Sequence, residues 1–169
     1  ARLRRPGSVY LITITGHQRH AHVSALQSGR CFVKAWRACT AHAVTLSYVV
    51  MPDHVHWLMA LREHADLSIT VQKAKSLTTQ RWRRAGRGDN ERLWHAGFPD
   101  RAPRREDDLV AMARHIVAHP LRAGLVNDIG DYPHWDSARP LSAPASTGRA
   151  STATRLDLAH RTGTQASAH

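Results

Sequence analysis

Twelve residues, Tyr48-Val-Val-Met-Pro-Asp-His-Val-His-Trp-Leu-Met59, constrain this chain more than any others. An apolar, β-rich run stops at Pro52-Asp53 and resumes at once, which reads as a strand, a tight turn and a second strand. Side chains on a strand alternate between faces, so His54 and His56 point one way while Val55 and Trp57 point the other. The second strand therefore has an apolar face for a core. Its opposite face opens with two imidazoles, two-thirds of a divalent-metal site.

The rest of the chain fits around this hairpin. Ser8 to Thr15 is β-branched and aromatic, ended by Gly16, and reads as a first strand. Gly16 to His22 is a polar loop. Ser24 caps a helix running to about Thr40, with Phe32, Ala35, Trp36 and Cys39 as its apolar stripe. The paired strands span Ala43 to Met51 and His54 to Leu61. Asp66 caps a long basic helix to about Arg84, with Leu67, Val71, Ala74 and Thr78 inward and Gly86 and Gly88 ending it. Glu91 to Pro103 suggests a short strand and loop. A last helix runs from Arg105 to Ala118, with Glu106, Asp107 and Asp108 in its first turn, Leu109, Met112 and Ile116 inward, and Pro120 closing it. The order strand-helix-strand-strand-helix-strand predicts an α+β, ferredoxin-like split βαβ antiparallel sheet, helices on one side, plus an additional C-terminal helix. The 169 residues divide into a domain over 1–138 and a basic Ala/Ser/Thr-rich tail over 139–169, expected to be disordered in isolation.

A net charge of +11 and a pI near 11 point to a polyanionic partner, nucleic acid first. No basic amphipathic stretch with a bulky apolar face argues for a membrane surface, and no apolar run is long enough to span a bilayer. Cys31 and Cys39 match neither a zinc knuckle nor a CxxC redox pair and read as reduced thiols, so the expected compartment is the cytoplasm. Between Lys73 and Arg92 stand seven Lys or Arg and two acids. Lys73, Lys75, Arg81, Arg83 and Arg84 project from the long helix, a concentration that is costly unless it faces a polyanion or is merely a solvated face. Arg2, Arg4 and Arg5 form a second basic cluster on the N-terminal arm. Trp57 and Trp94 are either base-stacking platforms or core residues, and Trp57, opposite the histidines, fits the core.

With 13 histidines in the chain, a bare His-x-His is weak evidence, and His20-Ala-His22 supplies a second one in a loop. The His54–His56 pair carries weight because it sits in a strand directly after a turn. His115 and His119, four residues apart on the last helix, share a face. They read either as surface residues welcome near a helix C-terminus or as further nitrogens for a metal site with open positions.

Met51-Pro-Asp-His-Val-His56 resembles the His-hydrophobic-His motif of the single-tyrosine HUH transposases. Leu93-Trp-His-Ala-Gly-Phe98, Ile116-Val-Ala-His-Pro-Leu-Arg-Ala-Gly-Leu-Val126, Tyr132-Pro133 and Ser137-Ala138 extend the resemblance to the REP-associated tyrosine transposases, over about Ser8 to Ala138. The resemblance implies a domain that cleaves and rejoins single-stranded, hairpin-forming DNA (REP-type palindromes). It implies magnesium or manganese held by His54, His56 and a third ligand at His119, where the family carries asparagine. The family's nucleophilic tyrosine corresponds to His115. Arg122 then reads as a phosphate contact or a helix cap, and Tyr132 as the one tyrosine placed to substitute as nucleophile.

Three activities follow: metal-dependent strand transfer with His115 at the nucleophile position; a catalytically silent DNA-binding module; or a nuclease in which water attacks and His115 is the base. A monomer is slightly favoured over a dimer.

Overall fold

The computed structural model describes residues 8–19, 26–86 and 92–137. Ser24, Gly88, the N-terminal arginines including Arg4 and Arg5, His20, His22 and the 139–169 tail lie outside them.

Strand β1 (Val9–Thr15) alternates buried and half-buried residues along its whole length. Helix α1 (Leu26–Arg37) follows, its stripe residues Phe32, Ala35 and Trp36 buried. Strands β2 (Ala43–Val50) and β3 (His54–Leu61) form the expected hairpin, with Val50 paired to Val55 and the Met51 amide donating to the His54 carbonyl at 2.8 Å across Pro52-Asp53. Helix α2 (Leu67–Arg84) starts at Asp66, whose carboxylate accepts the Ile69 amide at 2.9 Å. Its buried residues are Leu67, Thr70, Val71, Ala74 and Thr78. The two threonine hydroxyls donate to the carbonyls four residues back, so they enter the core satisfied.

Strand β4 is only Asp100–Arg101, although the segment before it also follows β1: Trp94 bridges Gly16, and the Thr13 amide donates to the Pro99 carbonyl. Helix α3 (Glu106–Val117) opens with Asp108 accepting the Arg104 and Arg105 amides. A one-residue break at Ala118 separates it from the short helix α4 (His119–Arg122), because Pro120 has no N–H and its ring crowds the carbonyl four residues back. Strand β5 (Trp135–Ser137), too short to leave a periodic signal in the sequence, adds itself to the free edge of β2.

The sheet order is β4-β1-β3-β2-β5, the split βαβ arrangement with one extra edge strand. Its two faces bury different things. Tyr10, Ile12, Ile14, Val55, Trp57, Met59 and Leu61 pack with α1 and α2 around a stack of Trp36 on Trp57, ring centroids 5.2 Å apart. Val49, Leu58 and Met51 pack with Met112, Ala113 and Ile116 of α3 on the other face. Among the described residues no helix is long and apolar enough to cross a membrane.

Candidate metal centre

The alternation of β3 puts Val55 and Trp57 into the first core and leaves His54 and His56 on the α3 face, beyond the end of the smaller core. Helix α3 crosses that face, and the break at Ala118 brings His119 over the two strand histidines. His54, His56 and His119 converge so that one nitrogen from each lies within 4.8 Å of the others. The His54 and His119 Nε2 atoms are 3.2 Å apart. Two nitrogens bound about 2.1 Å from one ion at tetrahedral or octahedral angles stand roughly 3.0–3.4 Å apart, so the spacing suits a shared ion.

A neighbouring carboxylate sets the tautomer of His54. Asp53 Oδ1 accepts a hydrogen bond from His54 Nδ1–H at 2.6 Å, which leaves Nε2 facing the cluster. His56 Nδ1 lies 3.1 Å from Thr13 Oγ1, on the neighbouring strand in the register that pairs Thr13 with His56. A proton on that nitrogen turns the second lone pair inward too. His119 has no such oxygen among the described residues: its Nδ1 is buried there without a hydrogen bond. Its contacts are with the other imidazoles, through Nε2 to His54, and it is the least oriented of the three.

Protonation is disfavoured at His56 and His119. Burial, and then the other imidazoles, push His56 down to about 3, with Asp53 pulling weakly the other way. Burial, then His54, also lowers His119. Imidazole nitrogens converging on one point are what a divalent cation needs, and the donor set fits one.

His115, one turn before His119, has its ring 5.8 Å from the His119 ring and is exposed. The Arg122 guanidinium donates to its Nδ1. Arginine has no lone pair to offer, so His115 carries its proton on Nε2 when neutral. Burial and the Arg122 charge keep its pKa below the usual histidine range. Tyr132 is placed differently from its expected role: its hydroxyl donates to the Val50 carbonyl at 2.6 Å, and burial pushes its pKa up to about 12. A phenol held neutral on a backbone carbonyl is a poor nucleophile.

The basic helix does not share this face. Its inner residues Leu67, Val71 and Ala74 pack with Trp57 on the opposite side of the sheet, so Lys73, Lys75, Arg81, Arg83 and Arg84 stand across the sheet from the histidines. Lys73 Nζ donates to His42 Nε2 at 2.9 Å, and Lys75 Nζ to the carbonyls of His95 and Gly97. Trp57 and Trp94 are buried, which removes both as base-stacking platforms. Asp53 and Thr13 were missed by sequence reasoning. Asp53 stands in the quoted motif beside its histidine, whereas Thr13 depends on strand register, which the sequence does not print.

No curated protein matches the sequence significantly. The structure is similar to that of a REP-associated tyrosine transposase bound to a REP hairpin, with a TM-score of 0.66 and 20% identity over 92% of this chain and 96% of that one. A candidate transposase from Deinococcus radiodurans R1 aligns at a TM-score of 0.48 and 15% identity, over 69% of this chain and 93% of that one. The sequence profile of the IS200-like transposases matches residues 10–99, which include β1, the hairpin with His54 and His56, and α2. That match spans more than half of the chain, which therefore belongs to the IS200-like transposase family.

Proposed function

We propose that this protein binds hairpin-forming single-stranded DNA of the REP type and cleaves it with the help of a divalent metal, as a REP-associated member of its family. Magnesium or manganese is held by His54, His56 and His119, and His115 occupies the nucleophile position. The observation that carries this reading is the convergence of three imidazoles, two from β3 and one from the α3–α4 break, with His115 one turn away. An ion held there would supply Lewis-acid polarisation of the scissile phosphate. Three nitrogen donors favour manganese over magnesium, which prefers oxygen ligands and keeps its waters. Asp53 and Thr13 orient His54 and His56. The net charge of +11 supports a DNA partner, as does the REP hairpin bound by the similar protein. The working unit is the 1–138 domain, as a cytoplasmic monomer, with the 139–169 tail outside it.

Attack by His115 would form a nitrogen–phosphorus bond and break the phosphorus–oxygen bond to the leaving 3′ oxygen, which takes up a proton. That step needs a lone pair facing the phosphate. In the structure the lone pair points to Arg122 and the proton sits on Nε2, so the bond to Arg122 must open first. The same contact favours a second reading, a silent recognition module in which His115 Nε2–H and Arg122 donate to phosphate. A water-based nuclease with His115 as general base needs the same opening.

Incubating a labelled hairpin with manganese and either the wild-type protein or His115→Tyr separates the readings. Strand transfer through His115 predicts cleavage with an acid-labile covalent adduct in the wild type. Binding without cleavage by the wild type, together with an adduct only in His115→Tyr, makes this chain a recognition module on an intact metal site. Cleavage by both without an adduct makes it a hydrolase. Absence of DNA binding contradicts all three.

A further inference from the structure

Helix α2 carries five cations in 18 residues and no acid. Between it and the Arg92–Gly97 segment runs an open groove of about 420 Å³, walled by Gln72, Ser76, Thr79 and Arg83 from the helix and by Arg92 and His95 from the segment. No Asp or Glu lines it among the described residues. Lys75 braces the groove by donating to the His95 and Gly97 carbonyls at 2.8 and 3.0 Å. Burial, then the nearby charge of Arg92, holds its ammonium below the usual lysine range. Beneath it the Trp94 indole donates to the Lys75 carbonyl at 3.1 Å, so the one large ring here is sealed in and offers no stacking face.

A wall of guanidinium, amide, hydroxyl and imidazole groups suits phosphodiester oxygens rather than base faces. Keeping Arg83, Arg92 and Lys75 together without an acid in the groove is unfavourable until an anion enters. The groove also has a physical connection to the metal centre. The His95 amide donates to the Thr15 carbonyl, and Thr15 pairs with His54. The groove rim is thus about two strand spacings, roughly 10 Å, from the first metal ligand, around the outer edge of the sheet where Trp94 bridges Gly16.

We infer that this groove holds the sugar–phosphate backbone of the DNA strand that leads to the metal centre, on the opposite face of the sheet from the histidines. The inference rests on the DNA-cutting reading and adds a second anchoring point to it. The strand lies along α2, turns over the Gly16–Trp94 edge, and presents its phosphate to the α3 face.

The test is fluorescence anisotropy with a labelled DNA hairpin carrying a single-stranded flank, in EDTA so that no metal contributes. Arg83→Glu/Arg92→Glu is compared with Lys34→Glu/Arg37→Glu, an equal charge reversal at exposed positions of α1. The groove variant should bind at least about tenfold more weakly, with its salt dependence flattened by about 1.4, the share of two single-strand phosphates. The α1 variant should lose no more than about threefold through net charge, and Arg83→Lys/Arg92→Lys should restore most of the binding. Wild-type binding with no selective loss in the groove variant overturns the groove and leaves the DNA reading standing. So does an equal loss in the α1 variant. A wild type that binds no DNA overturns both.

Discussion

The two faces of one sheet behave as two different materials. Toward α1 and α2, the sheet buries Trp57, Met59, Leu61 and Val55 almost completely, and Trp57 stacks on Trp36. Toward α3, the same strand supplies a small apolar patch around Leu58 and then, past its edge, two half-buried imidazoles. A single residue step along β3 separates core from chemistry. The larger core lies wholly on the other side, so the polar groups beyond the smaller cluster do not interrupt it.

This contrast gives the largest predicted effect. Trp57→Ala should cost about 3–5 kcal/mol of unfolding free energy in urea titrations, because it empties the stack at the centre of the main core. His56→Ala, next to it in sequence, should leave stability without metal within about 1 kcal/mol of wild type and abolish manganese binding. Equal destabilisation by the two substitutions would mean that the faces are not separable.

A pH effect of intermediate size is expected at the chemical face. His56 is lowered from 6.5 to about 3 in the folded state, so between those values the unfolded chain binds the proton and the folded one does not. Stability should fall as pH drops through 6.5, by roughly 2 kcal/mol at pH 5 with a chelator present. The measurement is the urea midpoint against pH for wild type and His56→Gln, and the variant should lack that part of the slope.

The smallest effects concern orientation. Asp53→Asn should weaken manganese binding about 10-fold, since the amide holds His54 less firmly and adds no charge. Thr13→Val should cost only a few-fold, its hydroxyl being a neutral partner. Calorimetric titration with manganese ranks the two, and a larger loss at Thr13 would reverse the assignment of roles.

Much of this division can be read from residues. The His-x-His alternation fixed which β3 side chains share a face before any contact was known, and the α1 stripe Phe32, Ala35 and Trp36 went inward as its spacing required. The relation of α2 to the histidines was harder to see. Charge patterning puts the α2 cations on a surface without saying which face of the sheet the helix covers. The handedness of β-crossovers places α1 and α2 together on one face, which is then the face opposite His54 and His56. Lys75 looked like a phosphate contact because charge patterning cannot reveal that two carbonyls lie within its reach. Thr13 and Arg122 acquire their partners only through strand register and the Pro120 break, both of which are tertiary outcomes.

The most direct test of the metal centre is manganese titration monitored by electron paramagnetic resonance, run on wild type, His56→Ala and His119→Asn. The account predicts one site in the wild type, none in His56→Ala, and a retained site in His119→Asn, since a carboxamide can replace the least oriented of the three imidazoles. Manganese binding that survives His56→Ala unchanged, or a wild type that binds none, would contradict it.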